Sequence, residues 1–284
     1  MVHHGVETNG IGYVDVMFDL SQVPAKMLPY VGILQGVLGI IDTTHYEYGE
    51  LFNEINVHTG GIGTSLELYP DVTKVKEKEF KATFEIKAKA LYHKLPVAFD
   101  MIKEILMESK LDDEKRLKEI LDMILSRLQM KFTSSGHTTA ALRAMAYASP
   151  LSKFKDMTSG IDYYKKVNAI AEHFEEEKDT LIQNLKALCR MLFREENMMI
   201  SYTSAEEGLV GMETMILELK EALYQEKIET EPCVLYCEKK NEGFKTSSKV
   251  QYVARAGNFI DRGEEYLSLI HIWRKRSFQA CTYP

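Results

Sequence analysis

The stretch Phe80-Lys-Ala-Thr-Phe-Glu-Ile-Lys-Ala88 decides the fold class of this chain. Apolar side chains recur at every second residue, and charged or polar side chains lie between them. Because successive side chains of a β-strand point to opposite faces, this alternation predicts a strand with one buried and one solvated face. Such strands are typical of an antiparallel sheet that is covered on one face only.

The segments on both sides of this strand predict an antiparallel sheet packed against several helices. Further strands are predicted at Gly12–Leu20, Thr64–Tyr69 and Asn197–Thr203, and a charged loop joins Thr64–Tyr69 to Phe80–Ala88 as a hairpin. Apolar residues at helical spacing predict helices over Met27–Ile41, Tyr46–Val57, Leu95–Ser109, Asp112–Phe132, Thr138–Ala148, Ile161–Leu192 and Leu209–Tyr224. Grouped strands with blocks of helices indicate an α+β fold.

The chain divides into three predicted regions. Residues 1–228 are expected to form one α+β unit with a helical insertion, and the polar, non-periodic stretch from Gln225 to Pro232 marks its end. Strands predicted at Cys233–Glu238 and Lys249–Ala256 make residues 229–266 the incomplete start of a second domain. Residues 267–284 fit neither period and are interpreted as a non-native tail resembling translated adapter sequence, with a basic targeting tail as the alternative.

The composition of the chain limits the binding partners and the cellular compartment that we expect for it. The 284 residues carry a net charge of -7, which gives no broad attraction to nucleic acid or to an anionic membrane. No apolar stretch is long enough to span a bilayer, and the first residues, Met1 to Glu7, do not resemble a secretory signal. Four irregularly spaced cysteines fit a reducing compartment, so we expect a cytoplasmic protein without nucleic-acid or membrane partners.

Cysteine and histidine residues offer no metal site. Cys233 and Cys237 lie four residues apart in a predicted strand, a separation of roughly 13 Å that one zinc ion cannot bridge, so both are interpreted as buried thiols. Glu172-His173 lies in a predicted helix, but Ala169 stands where a His-x-x-Glu-His motif needs its first histidine. His45 and His58 stand alone, without a cysteine, histidine or acidic partner at ligand spacing.

Two further motifs are interpreted as structural. Gly60-Gly61-Ile62-Gly63 follows a helix and opens a strand, the reverse of a dinucleotide-binding loop, so a helix end is expected there. Ser134-Ser135-Gly136-His137 lacks the third group of a nucleophilic triad and is expected to be a turn between helices. We therefore predict no catalytic, cofactor-binding or metal-ligating residue in this chain.

Several blocks of sequence resemble the presequence protease branch of the insulinase-type (pitrilysin) zinc metallopeptidases. These blocks are Thr8–Leu20, Tyr46–Leu51, Thr59–Ile62, Ser135–Arg143 and Val250–Asn258, and they follow the order that they have in the family. The resemblance reaches from Thr8 to about Tyr266 and includes no catalytic signature.

The resemblance implies a piece of a larger enzyme. Members of this family have four similar α+β domains in two halves, which close around a chamber and cut short unstructured peptides. The zinc motif His-x-x-Glu-His lies in the first domain, and a substrate-gripping Arg and Tyr lie in the last. This chain resembles the third domain and the first strands of the fourth, so no catalytic position is carried over.

The resemblance therefore predicts a non-catalytic C-terminal-half fragment of a zinc metallopeptidase that helps to enclose peptide substrates. Its expected partners are the N-terminal catalytic half of the same protease and unstructured peptides, with zinc held by the parent enzyme and none by this chain. The alternative is a stand-alone, non-catalytic binding or assembly subunit of the same superfamily. Whether the chain contributes to an enzyme therefore depends on the parent protein.

Overall fold

A computed structural model describes residues 6–228, 231–245 and 250–263 of the chain. Its strands are β1 (Ile11–Asp19), β2 (Ile62–Pro70), β3 (Phe80–Leu91) and β4 (Met198–Thr203). Its α-helices are α1 (Leu28–Val37), α2 (Tyr48–His58), α3 (Leu95–Met107), α4 (Glu114–Ser134), α5 (Gly136–Ala146), α6 (Pro150–Ser159), α7 (Ile161–Glu172), α8 (Phe174–Leu192) and α9 (Met212–Ala222).

The four strands form one antiparallel sheet in the order β2-β3-β1-β4. The predicted strand β3 lies inside this sheet, paired with β1 on one side and with β2 on the other. Phe18 lies opposite Phe84, and Asp15 lies opposite Lys87. The apolar side chains of both strands therefore lie on one face of the sheet, and their polar side chains lie on the other. The α+β fold with an antiparallel sheet is confirmed.

Helices cover the apolar face of the sheet and close the core. Phe18 of β1 and Phe84 of β3 both make edge-on contacts with Phe193, whose ring centroid lies 5.1 Å and 5.6 Å from theirs. All three rings are fully buried. Phe193 directly follows α8, so this triad ties that helix to the two central strands.

Most predicted helices are confirmed with small shifts at their ends. The first helix ends at Val37 rather than Ile41, because Leu38 leaves the helical conformation and Gly39 adopts a φ of +84°. A helix at Pro150–Ser159 was not predicted. Its start has two features that are common at helix N-termini: Ser149 accepts a hydrogen bond from the Ser152 amide, and Pro150 opens the first turn.

The single helix predicted over Ile161–Leu192 is wrong. The structure has two helices, α7 and α8, with a break at His173, whose φ and ψ are −118° and 38°. Phe174 turns into the core immediately after the break, and three glutamates, Glu175 to Glu177, occupy the first turn of α8. Acidic side chains favour a helix N-terminus, so the charge pattern of this segment is that of a new helix.

The strands predicted beyond Gln225 do not form in the described residues. Cys233–Glu238 belongs to no strand, and neither do residues 250–256; Lys249 lies outside the described residues. Cys233 donates its amide to the Ser21 carbonyl at 2.8 Å, but no ladder follows. A strand needs a continuous row of partner groups, and β1, the strand that precedes Ser21, is already paired on both sides.

The structure describes only part of the three regions that the sequence predicted. Residues 264–284, including the predicted non-native tail at 267–284 and Cys281, lie outside the described residues. The division into residues 1–228 and 229–266 therefore stays a prediction. No helix within the described ranges combines the length and apolar character needed to cross a membrane.

Candidate functional site

The glycine-rich motif lies between a helix and a strand, as predicted. Helix α2 ends at His58, and β2 begins at Ile62. Gly61 adopts a φ of +120°, and the Gly60 amide donates to the Lys89 carbonyl at 2.7 Å. The glycines therefore shape a helix end and lead the chain into the sheet.

The serine-rich motif is a turn between two helices, as predicted. Helix α4 ends at Ser134 and α5 begins at Gly136, with Ser135 between them. The Ser135 carbonyl accepts the hydroxyl of Thr138 at 2.7 Å. Ser135 therefore closes the first turn of α5.

Two histidines have acidic partners that the sequence did not suggest. Glu104 of α3 accepts both the Nδ1–H of His45, at 2.9 Å, and its backbone amide, at 3.1 Å. Burial by itself raises the pKa of Glu104, but hydrogen bonds from Thr43 and His45 outweigh it and lower the pKa. His58 contacts Glu54, one turn earlier in α2, at 3.3 Å. The expectation of no acidic partner at ligand spacing is wrong for His58, because Glu54 lies four residues earlier on the same helix. The partner of His45 lies 59 residues away, which an argument from spacing does not address.

The other candidate ligands are scattered. His173 is exposed at the break between α7 and α8, Cys233 is half-buried, and Cys237 is exposed rather than buried as predicted. Burial raises the pKa of the Cys233 thiol. Within the described residues, no three histidine, cysteine, aspartate or glutamate side chains are grouped so that they could hold a metal ion.

The sheet presents a second face that the helices leave uncovered. We call it the polar face. It is built from alternate residues of the four strands, in the register of the sheet: Tyr13, Asp15, Met17, Asp19, Ser65, Glu67, Tyr69, Lys81, Thr83, Glu85, Lys87, Lys89, Met199, Ser201 and Thr203. Acidic, basic, hydroxyl and thioether groups are thereby brought together from segments up to 190 residues apart.

A fully buried carboxylate, that of Glu85, lies at the centre of the polar face. Its Oε1 accepts the hydroxyls of Tyr69, at 2.7 Å, and Thr83, at 2.5 Å. The Lys87 ammonium lies 2.8 Å from Glu85 Oε2, 3.3 Å from a Glu67 oxygen and 3.7 Å from an Asp15 oxygen. The single ammonium group of Lys87 therefore lies within ion-pair distance of three carboxyl groups.

This crowding shifts the pKa values of two neighbouring carboxyls, Asp15 and Glu85, in opposite directions. Burial and the charge of Glu85 raise the pKa of Asp15 to about 6. Burial also opposes ionisation of Glu85, but hydrogen bonds from Lys87, Thr83 and Tyr69 outweigh it and lower the pKa of that carboxyl. The same contact with Glu85 raises the pKa of the Tyr69 phenol to about 12. Asp15 is therefore the carboxyl of this pair that more readily takes up a proton as the pH falls.

Buried polar atoms on this face await a partner. Among the described residues, Oδ1 of Asp15, Oγ of Ser65 and Oε2 of Glu85 are buried without a hydrogen bond. Such atoms are costly unless another group or an ordered water satisfies them. The Lys87 ammonium compensates Glu85 Oε2, and a proton on Asp15 lets that carboxyl bond to Glu85. On the accessible part of the face, the Glu67 carboxylate can accept hydrogen bonds or a cationic group. Strand alternation indicated the residues of this face, but no sequence signal joined Asp15 to Glu85, because the register of β1 and β3 is set by the fold.

We expect Asp15→Asn to change the pH dependence of stability. The Asp15 pKa is raised from 3.8 in the fold, so its protonated form contributes stability that is lost as pH rises through about 6. The neutral amide avoids this loss, so the variant should be about 1–3 kcal/mol more stable than the native chain at pH 8. Urea unfolding at several pH values measures the difference.

The comparison at pH 4 supplies the control for this prediction. Most of the Asp15 carboxyl is protonated in the folded chain there, so most of the electrostatic gain should vanish. An equal gain at pH 4 and pH 8 would show that Asp15 does not titrate as the polar face requires.

Comparison with known protein families gives one match that covers most of the chain. Residues 1–170 match the family of domains described as associated with peptidases of family M16, subfamily C. The chain is 34% identical to "Protein HypA" of Clostridium perfringens over 93% of its own length and 27% of the relative's. It is 22% identical to "Presequence protease 1, chloroplastic/mitochondrial" of Arabidopsis thaliana, over 93% of its own length and 24% of the relative's.

The chain thus spans about a quarter of the length of these two relatives. A mitochondrial presequence protease of Drosophila melanogaster is 26% identical over 68% of the chain. Among solved structures, a peptidase M16 inactive domain from Pseudomonas fluorescens superposes with a TM-score of 0.52 at 12% identity, covering 84% of this chain and 50% of that one. This likeness supports the fold.

Proposed function

The chain belongs to the family of domains associated with M16 peptidases of subfamily C, within the presequence-protease-like branch of the insulinase-type peptidases, and from this premise we propose that it is a non-catalytic C-terminal-half fragment of a zinc metallopeptidase. Its proposed task is to wall the chamber in which the parent enzyme degrades short unstructured peptides. The observation that carries the proposal is the similarity of nearly the whole chain to about a quarter of a presequence protease.

The zinc chemistry is assigned to the parent enzyme. A hydrolytic zinc site needs three protein ligands and an open position for water. In the proposal those ligands belong to the parent enzyme; among the described residues, no three candidate side chains are grouped to hold a metal ion. The similar Pseudomonas fluorescens structure is itself described as an inactive domain, which agrees with this assignment.

The polar face is the proposed chamber wall. Helices cover the opposite face of the sheet, so the polar face is the broad surface left for peptide or for the catalytic half. The exposed groups of this face, the Glu67 carboxylate and the rings of Tyr13 and Tyr69, suit the amides and cationic side chains of an unfolded peptide. The N-terminal catalytic half and peptide substrates are therefore the proposed partners.

The first experiment tests whether the chain is inert alone. The purified chain, supplied with zinc and a short unstructured peptide, should give no cleavage that a chelator abolishes. Mixed with the upstream half of a presequence protease, it should form a complex that elutes as one species in size-exclusion chromatography. Chelator-sensitive cleavage by the chain alone, or failure to bind the upstream half, contradicts the fragment hypothesis.

The second experiment tests whether the polar face lines the chamber and contacts peptide. A photo-crosslinking residue at Met199 samples the polar face, and the same residue at Phe52 of α2 samples the helical layer; their exposed fractions are 60% and 62%. In the complex with the upstream half, labelled peptide should crosslink several times more from position 199. Equal labelling from both positions would contradict the wall, whether or not the complex forms.

A stand-alone binding or assembly subunit is the competing function. The DNA upstream of the gene separates the two: an in-frame His-x-x-Glu-His motif there identifies a broken protease, and a stop codon with a promoter identifies an independent subunit. We also propose a cytoplasmic location, because the cysteines described, Cys189, Cys233 and Cys237, are all free thiols.

A further inference from the structure

Helix α5 has little hydrophobic surface of its own to bury. Its buried residues are Thr139, Arg143 and Ala146, and it packs mainly against α6. The Arg143 guanidinium is nevertheless almost fully buried, with Nη1 at 2.5 Å from Asp156 Oδ2 and 2.8 Å from Asp162 Oδ1. These partners lie on α6 and α7, so the arginine joins three consecutive helices.

The third partner of Arg143 comes from 99 residues further along the chain. Glu242 Oε2 lies 2.8 Å from both Nε and Nη2 of Arg143, and the Tyr147 hydroxyl donates to the same oxygen. The ring of Phe244 lies beside two cations, 5.9 Å from the guanidinium of Arg143 and 5.4 Å from the Lys165 ammonium. The segment that follows the polar linker is therefore held by charge as well as by an aromatic ring.

An independent contact occurs at the opposite end of the same helix. A Cβ added to Gly136 would lie 2.7 Å from the ring of Tyr252, so only glycine lets that ring approach so closely. The His137 ring lies 5.8 Å from Tyr252, between ring centroids. The two contacts place residues 242–244 at the C-terminal end of α5 and Tyr252 at its N-terminal end.

We propose that α5 is a docking bracket for the segment that leads into the following domain, with Arg143 binding Glu242 and Gly136 receiving Tyr252. The bracket accounts for a helix that contributes little to the apolar core and yet buries an arginine. It fixes the positions of Glu242, Phe244 and Tyr252 against α5. It does not depend on whether the polar face contacts peptide.

Glu242→Gln tests the charged end of the bracket. The amide keeps the shape of Glu242 but removes the negative charge that faces Arg143, so the segment should leave α5 more often. Trypsin should therefore cut after Lys239 and Lys240 about ten times faster. Glu238→Gln is the matched control, because Glu238 lies in the same segment, is 76% exposed in its side chain, and pairs with the neighbouring Lys240.

Gly136→Ala tests the contact between α5 and Tyr252, and its expected effect is opposite to the usual effect of this substitution in a helix. Alanine in a helix is ordinarily stabilising relative to glycine, but here its Cβ displaces the Tyr252 ring. Trypsin cleavage after Arg255 should therefore become about ten times faster, while the lysines of α6 and α7 stay resistant. Unchanged cleavage in both variants would overturn the bracket, and so would an equal rise at Lys87 of β3, since that would make these residues general supports of the core.

Discussion

Phe193→Ala should lower the free energy of unfolding by about 3–5 kcal/mol. Phe193 is fully buried, and its ring makes edge-on contacts with Phe18 and Phe84, the pair that joins the two central strands. Alanine removes the buried ring surface and both aromatic contacts, and it leaves a cavity between sheet and helices that a rigid sheet cannot fill. Urea unfolding followed by far-UV circular dichroism measures the loss.

Phe52→Ala is the matched control for this prediction. Phe52 has the same side chain on the outer surface of α2, where 62% of it is exposed, so its truncation should change stability by less than about 0.5 kcal/mol. Equal losses in the two variants would show that the triad is not the centre of the core.

Arg143→Leu should cost about 3–5 kcal/mol, because it leaves Asp156 buried without its cation. Burial by itself opposes the charge of Arg143, but Glu242, Asp156 and Asp162 outweigh it and raise the pKa of the guanidinium. The same arginine holds the pKa of Glu242 down to about 2, so the ion pair persists throughout the neutral range. The loss should therefore be nearly constant between pH 6 and pH 8.

The double variant Arg143→Leu/Asp156→Asn distinguishes an ion-pair effect from a packing effect. The amide oxygen introduced by Asp156→Asn can still accept the Ile161 backbone N–H, as the Asp156 carboxylate does at 2.9 Å, and it carries no buried charge. The double variant should therefore recover much of the loss. Arg127→Leu, at an exposed position of α4, should be nearly neutral. A double variant that is no more stable than Arg143→Leu would contradict a cost due to the uncompensated carboxylate.

Most of the predictions that failed depend on partners far along the chain. Helical periodicity runs through His173 without interruption, so apart from the acidic residues Glu175 to Glu177 the break between α7 and α8 is visible only in the turn of Phe174 into the core. The segment Cys233–Glu238 has the composition of a strand, but strand formation depends on a neighbour with free backbone groups. His45, in the loop before α2, contacts Glu104 of α3, which lies 59 residues further along the chain.

The sequence by itself determined the α+β class, the four strands of the sheet and the hairpin that joins two of them, because side-chain periodicity along one segment is a local property. It also supported the family resemblance, which depends on the order of short blocks. Only the tertiary structure decided which polar residues meet. The strand register brought Asp15, Glu67, Glu85 and Lys87 onto one face, and helix packing brought Arg143 to Glu242. Spacing along the chain does not encode such contacts, because they depend on how distant segments pack against one core.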